Sequence, residues 1–434
     1  TCPMPTNRPD NPDSDYDLII IGGGCSGLSL AAALCRLAVQ PEHVPRTLIV
    51  EPRSRYTNDR SWCFWAQADH NNQGRQESRG SQAVDMAVDL IAKSWPSWEF
   101  SAESVSHRHA SDEGWNYHYV PSIRFYEQVE EQLGQNPNIT LLKSTLVSEV
   151  KPVEGFLELV LECGSDVPES GRRVVTAGQI VDTRIPAQVD VGPAMLNQVF
   201  FGLEVRLESP HRFDDVARVM KDMRVDNEGF MFDYVLPLDR HTLLVEFTRF
   251  AAKSLPAESL RPDALESLRR VCGDASFQIV REECGVIPMG LSGFAVPTDP
   301  RWIYTGLGAG AARPSTGYAF KRIQRWAEIC AEGILKEGKA QGFPPDRALL
   351  MWMDKVFLRT IASNPALAPQ LFMSLASKVS ADRLLRFLTD RPGMQDLLAV
   401  MLALPKLPLI RCAFAEIYAG IVTANRSHTW HEVL

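Results

Sequence analysis

No C-x-x-C pair occurs among the nine cysteines, which are scattered over the whole 434-residue chain. That excludes the common zinc and dithiol motifs, and Cys25, Cys35 and Cys330 sit in apolar patterns suited to small buried side chains. The cysteines read as reduced thiols of an intracellular protein. No block of Lys or Arg stands out and the net charge is −8, so nucleic acid is not expected as a partner. No uninterrupted apolar run reaches the roughly 18 residues of a membrane span, and the start carries no basic, then apolar, then small-residue leader. These absences point to a cytoplasmic protein that lies on a membrane if it meets one. What is present is ordinary: 45% apolar and 23% charged residues suit a folded chain, with only Thr1 to Ser14, rich in Pro, Asn and Asp, expected to be loose. The length exceeds one small core and points to two closely packed domains.

The chain is organised around Asp17 to Leu34, DLIIIGGGCSGLSLAAAL, an apolar run that breaks into glycines and resumes as an alanine- and leucine-rich segment. It reads as strand, tight turn and helix. Gly22, Gly24 and Gly27 stand at G-x-G-x-x-G spacing: the first allows the turn, the second lets the backbone approach a pyrophosphate, and the third lets the helix pack closely on its strand. Phosphates would sit at the positive helix end. Alone the pattern is weak, because glycine-rich turns are common. Leu48 to Glu51, LIVE, reads as the second strand of a βαβ unit, and Glu51 ends it about 20 residues past the glycines, where a carboxylate accepts ribose hydroxyls. The combination points to a bound dinucleotide, against a bare turn and a plain strand-end glutamate.

Pro52 to Gln67, PRSRYTNDRSWCFWAQ, mixes turn formers and arginines with Trp62, Phe64 and Trp65. Such aromatics plug a core, and the same flat apolar faces pack against a cofactor and line a pocket. Gly22 to Leu30 followed by TNDRSWCFW, Thr57 to Trp65, resembles the amino-terminal half of the flavin-dependent lycopene cyclases. The resemblance runs from Asp15 to about Ala413 and makes the dinucleotide FAD. It implies an α/β fold: a glutathione-reductase-type FAD-binding Rossmann domain over 15–197, an inserted mixed β-sheet substrate domain over 198–290, a return to the FAD domain over 291–330, and a helical region over 331–434. Within the first part, Ala68 to Ser111 reads as polar and irregular with Trp95 and Trp98 in a turn. Phe125 to Leu133 reads as a helix, and Asn138 to Val147, Phe156 to Cys163 and Gln179 to Asp182 as strands.

Gln198 to Arg206 opens the second domain. Gly229 to Leu238 and His241 to Phe250 read as a hairpin, apolar on both faces, joined by the turn Asp239-Arg240. Glu246 lies inside its second strand, flanked by Leu243, Leu244, Val245 and Phe247. Burying an unpaired carboxylate is expensive. Glu246 therefore either pairs with Arg249 or Arg224, or is a carboxylic acid kept protonated by an apolar pocket, the condition for protonating a hydrocarbon near neutral pH. The resemblance favours the second: VEFT, Val245 to Thr248, matches the family at Glu246 and Thr248, while Phe247 stands where many members carry a second acid. Asp222 falls at an acidic position that the family links to activity, and Glu283 matches the strand returning to the flavin domain.

Trp302 to Phe320, WIYTGLGAGAARPSTGYAF, reads as a strand that breaks into Gly306, Gly308 and Gly310, then a Pro314-Ser315-Thr316-Gly317-Tyr318 turn into a helix with Pro262 to Val271 as an earlier amphipathic counterpart. Glycines admit close backbone approach, and amides at a helix start stabilise negative charge on a reduced isoalloxazine. Glutathione-reductase-type strands usually end here in an Asp; none occurs between Trp302 and Phe320, and the PSTGY box resembles the cyclases instead. From Ala348 onward the spacing is helical. Met401 to Ile410, apolar except for Lys406, punctuated by Pro405 and Pro408 and near Arg386 and Arg411, fits either a monotopic membrane contact or burial.

The resemblance thus implies redox-neutral cyclisation of the ψ-ends of lycopene to β-rings, with FAD needed in its reduced form, NAD(P)H as the electron source, a carotenoid substrate and a membrane surface as partners. The cofactor set is Gly22, Gly24, Gly27, Glu51, Gly308, Gly310, Pro314, Ser315, Thr316 and Gly317; Glu246 and Asp222 are the catalytic candidates; Trp62, Phe64, Trp65 and Phe247 the substrate-lining ones; no metal is expected. The alternative on the same domain plan is an FAD- and NAD(P)H-dependent monooxygenase acting on an apolar isoprenoid or aromatic substrate.

Overall fold

The computed structural model describes residues 14–67, 89–167, 170–184, 195–253, 255–291 and 297–416. The loose segment expected at the start lies outside them apart from Ser14, as does the helical region beyond 416. In chain order come β1 (Tyr16–Ile21), α1 (Cys25–Leu37), β2 (Thr47–Val50), β3 (Ser61–Gln67), β4 (Lys93–Trp95), β5 (Ser97–Ala102), β6 (Val105–Ala110), β7 (Trp115–Pro121), α2 (Ser122–Gly134), β8 (Ile139–Leu142), β9 (Thr145–Pro152), β10 (Leu157–Cys163) and β11 (Gly171–Asp182). Then follow β12 (Leu196–Leu207), β13 (Ala217–Asp226), β14 (Gly229–Pro237), β15 (Thr242–Ala251), α3 (Arg261–Cys272), β16 (Phe277–Met289), β17 (Trp302–Tyr304), α4 (Phe320–Glu337), α5 (Ala348–Ser363), α6 (Ala368–Lys378), α7 (Ala381–Leu388), α8 (Met394–Ala403) and α9 (Lys406–Glu416).

The first sheet has the order β8-β2-β1-β11-β10-β9, with β17 on β11. β8, β2, β1, β11 and β17 run parallel. Parallel strands covered on both faces read as continuous apolar runs, which is why LIII and TLIV are buried throughout. β11 divides its pairing: Gly171 to Ala177 runs antiparallel with β10, and Ala177 to Asp182 runs parallel with β1. α1 contains no β-branched residue, and its buried Ala31, Ala32 and Ala33 share one core with Ile323, Trp326, Ala327 and Ala331 of α4.

The second sheet has the order β16-β12-β15-β14-β13-β5-β6, antiparallel except where β5 meets β13. It takes β5 and β6 from residues 97–110, ahead of the 198–290 span expected to supply it. One face packs on α3 and the turn before it: Val199, Phe201, Leu203, Val245 and Phe247 share a core with Leu260 of that turn and with Ala264 and Leu268. The other face is shared by two covers. Phe230, Phe232 and Phe250 pack under α5 to α7, with Phe372 stacked on Phe230 at 5.4 Å, while the small sheet β3-β7-β4 covers the rest.

Three local expectations are corrected. Residues 68–111 are not irregular throughout: 68–88 lie outside the described residues, but 93–110 form β4, β5 and β6, and Pro96 separates strands of two different sheets. β5 alternates in burial, with Trp98, Phe100 and Ala102 inward. Asn138 to Val147 is two strands, broken where Ser144 adopts φ +53°. The strand expected to run from Trp302 into the glycines stops at Tyr304, because Gly306 at φ +91° turns the chain out of the sheet.

Candidate active site

A cavity of about 770 Å³ opens at the carboxyl ends of β1 and β2 and extends to the second sheet. Gly22, Gly24, Cys25, Ser26 and Glu51 line one end; Gln198, Phe200, Tyr234, Leu244 and Glu246 line the other. Gly22 has φ +101°, and a Cβ there would lie 2.4 Å from Thr183 Oγ1. A Cβ on Gly27 would lie 2.0 Å from the Gly22 carbonyl oxygen, so Gly27 serves close packing rather than lining. Gly24 precedes α1 with no side-chain cap, and a Cβ there meets nothing within 4 Å. The first amides of α1 are therefore left for a ligand, which is the fit an anionic dinucleotide requires. Buried Glu51 accepts the Gly23 N–H at 2.8 Å and the Arg53 guanidinium at 2.6 Å, which fixes its carboxylate at the cavity edge.

The other glycine-rich segment reaches the cavity only in part. Leu307, Thr316, Gly317, Tyr318, Ala319 and Phe320 line it; Gly308, Gly310, Pro314 and Ser315 do not. The Ser315 hydroxyl donates to Asp354 at 2.8 Å, turned away into α5. Beside it the buried Arg313 guanidinium forks onto the same carboxylate, at 3.1 Å from each oxygen, and donates to the Phe387 carbonyl. The turn is thus held from behind by the C-terminal helices. Gly317, at φ +72°, brings its backbone to where a Cβ would lie 2.7 Å from Gln198 Oε1.

Strand alternation sorts the aromatic candidates. Trp62 lines the cavity and stacks on Phe320 at 5.2 Å. Phe64 also stacks on Phe320, at 5.4 Å, in the core shared with α1 and α4, and does not line the cavity. Trp65 points the other way, against Trp98 and Tyr117, and borders a smaller apolar hollow under α6 and α7. Phe247 lies on the opposite face of β15 from Glu246, beneath the Arg224 and Arg249 guanidiniums. Asp222 sits at a bulge of β13 with φ +54°, its side chain paired with Arg224 and away from the cavity.

Glu246 reaches the cavity in a row of side chains across four strands. Tyr234 of β14 is opposite Glu246, Gly202 of β12 is its other neighbour, and Glu283 of β16 lies beyond Gly202. Because residues in register share a face, all point to the same side. Neither Arg249 nor Arg224 pairs with Glu246: the first holds Asp226 at 2.6 Å, the second Asp222 and Asp233. Its one hydrogen bond among the described residues comes from the Thr248 hydroxyl, at 3.0 Å. Burial pushes the Glu246 carboxyl up to about 8, and the neighbouring Glu283 charge adds to it; the Thr248 hydrogen bond and Arg281 pull the other way. Burial likewise raises the Tyr234 and Tyr117 phenols and the Cys63 thiol beside it.

Sequence reasoning had no means to assemble Arg281, Tyr117, Tyr234 and Gln198 around Glu246. The only sequence signal for Tyr234 was its place in the partner strand of the hairpin. The arrangement can do one thing well: present a protonated carboxyl to an apolar ligand beside a nucleotide-shaped cradle.

The fold has solved counterparts. p-Nitrophenol 4-monooxygenase PnpA from Pseudomonas putida DLL-E4 matches with a TM-score of 0.51 at 13% identity, covering 92% of this chain and 97% of that one. The flavin-dependent brominase Bmp2 matches with 0.51 at 13% identity, covering 86% and 93%. Among curated relatives, a lycopene beta-cyclase of Pseudescherichia vulneris is 27% identical over 324 residues, 73% of each chain. The glycine cradle, the inserted sheet and the acid on β15 all fall within residues 17–414, which match the model of the lycopene cyclase protein family, and the chain belongs to that family.

Proposed function

We propose that this protein cyclises the ψ-ends of lycopene to β-rings without net oxidation or reduction, and that FAD occupies the cavity in reduced form. The observation that carries the reading is Glu246: an acid with raised affinity for its proton, facing the same cavity as the uncapped start of α1. Gly22, Gly24, Ser26 and Glu51 would hold the nucleotide, and Thr316 and Gly317 the ring end. Reduced flavin, when bound, would supply negative charge near a developing cation.

Glu246 then donates its proton to the terminal alkene carbon of the polyene, and the resulting carbocation closes on the neighbouring double bond. Loss of a ring proton to the Glu246 carboxylate restores both the residue and electrical neutrality, so the product is an isomer. Trp62, Tyr234 and Tyr318 offer ring faces to the cation along the cavity wall. NAD(P)H is the proposed source of the flavin electrons.

The lipid-soluble substrate also needs a route in. Among the described residues no single helix is long and apolar enough to cross a membrane, but α8 and α9, bent by 116°, expose Leu402, Leu407 and Phe414 beside Lys406 and Arg411. We assign this patch to a lipid surface, with the two cations at headgroup level. Arg386 takes no part, being paired with Asp396 at 2.8 Å.

Anaerobic incubation of the purified protein with lycopene and dithionite-reduced FAD tests the reading. A ring-closed product of unchanged mass is expected; a mass gain of oxygen under air, with none of the isomer, overturns it in favour of a monooxygenase. Replacing Leu407 and Phe414 by Asp should abolish co-sedimentation with anionic vesicles.

A further inference from the structure

Glu283 is 5% exposed, and its Oε1 is buried without a hydrogen-bond partner. Leaving a carboxylate oxygen in that state costs free energy, so the position calls for a reason. Its other oxygen accepts from Arg281 at 2.9 Å. Arg281 is itself fixed on three sides, by Glu204 at 2.9 Å, the Ser61 hydroxyl at 2.8 Å and the Asn58 carbonyl at 3.3 Å. A guanidinium so held is a fixed ion-pair partner for Glu283.

Glu246 and Glu283 stand two strands apart, roughly 10 Å at Cα by ordinary strand spacing. The residue between them is glycine. A Cβ on Gly202 would lie 3.2 Å from Glu283 Oε1, 3.0 Å from its Cγ and 3.6 Å from Glu246 Cβ. The Glu283 side chain therefore leans into the space that a larger residue would fill, and its unpartnered oxygen is the one on that side. We propose that Glu283 is a positioning residue: paired with Arg281 and placed across Gly202, its carboxylate adds to the effect of burial in holding the catalytic proton on Glu246. The pair carries one proton and one negative charge, Arg281 balances that charge, and the proton stays on the member that reaches the cavity. This rests on the proposed function in assigning Glu246 the proton transfer.

The other groups facing Glu246 do not supply this effect. Thr248 donates to it from its own strand, Tyr234 of β14 and Cys63 of β3 are neutral, and Glu204 is taken up by Arg281. Tyr117, Tyr119 and Tyr318 complete the surroundings as neutral phenols.

The test is infrared titration of the protonated carboxyl in the full chain, assigned by its disappearance in Glu246→Gln. Glu283→Gln should move the midpoint down by about one pH unit or more, tenfold in the protonated fraction, and the alkaline limb of turnover should move with it. Arg281→Met should move the midpoint up, because the positive charge that favours loss of the pair's remaining proton is gone. Opposite shifts separate an electrostatic role from damage to folding, which would move both variants the same way. An unmoved midpoint in Glu283→Gln overturns the proposal. The infrared signal needs no turnover, so its failure is distinguishable from a failure to cyclise lycopene.

Discussion

Asp233, buried, and Glu246, half-buried at the cavity wall, are both acids on the β14–β15 hairpin, one register step apart, and they face opposite sides of the sheet. Asp233 is opposite Phe247, and Glu246 is opposite Tyr234. Asp233 accepts from the Ser267 hydroxyl at 2.7 Å, from Arg270 at 3.2 Å and from Arg224 at 3.3 Å. Glu246 has a threonine hydroxyl, and among the described residues no cation is paired with it. Asp233 is the more buried of the two, so burial is not what marks a functional acid. The difference lies in the donors: Asp233 is supplied with two ion-pair partners and a hydroxyl that tie α3 to the sheet, whereas Glu246 is supplied with one hydroxyl and faces open space.

The comparison breaks in the first instance if Glu246→Gln still turns over. Removing the proton donor should lower cyclisation by about 10²- to 10⁴-fold while flavin stays bound, measured by product formation and by absorbance of the bound cofactor. Asp233→Ala should do the reverse. It strands two arginines that are only partly exposed, so it should cost about 1–3 kcal/mol of stability in denaturant unfolding, with turnover per folded molecule unchanged. A subtler contrast lies in pH. Glu246 binds its proton more tightly folded than unfolded, so its contribution is fully present below the ordinary carboxylate range and is lost as pH rises through about 8. Wild-type stability should therefore fall between roughly pH 4.5 and 8, and Glu246→Gln should flatten that part of the curve.

Much of this contrast lies beyond the reach of local sequence pattern. The glycine spacing after β1 and the apolar hairpin strands are local signals, set by turn geometry and alternation, and both are legible. The register of the hairpin is not. A two-residue turn at Asp239-Arg240 would set Asp233 opposite Glu246. The loop instead spans Asp239 to His241, closed by Leu238 N–H to the Thr242 carbonyl and by the Asp239 carboxylate accepting from His241 and Thr242. One extra residue puts Tyr234 there. Glu283 and Arg281 reach the site from a strand that is adjacent only through β12, and Arg313 reaches Asp354 across 41 positions. Such meetings are set by tertiary packing, which no spacing in the chain encodes. The β5 strand, expected as irregular, carries an alternation of Trp98, Phe100 and Ala102 that its polar neighbours and the Pro96 turn mask.

Asp222 gives the smallest effect and the sharpest distinction between an acid kept for its charge and one kept for its backbone. Its side chain is 38% exposed and meets Arg224 at 3.3 Å, a pair worth little in water. Its φ of +54° is a conformation that Asp and Asn accept more readily than other non-glycine residues and β-branched residues resist. Asp222→Asn should therefore change stability by no more than about 0.5 kcal/mol and leave turnover unaltered, since the carboxylate does not face the cavity. Asp222→Val should destabilise by more, through backbone strain, with cyclisation per folded molecule again intact. If Asn lowers turnover as much as Val does, the charge of Asp222 matters to the reaction, and the line drawn between supporting and reacting acids runs in the wrong place.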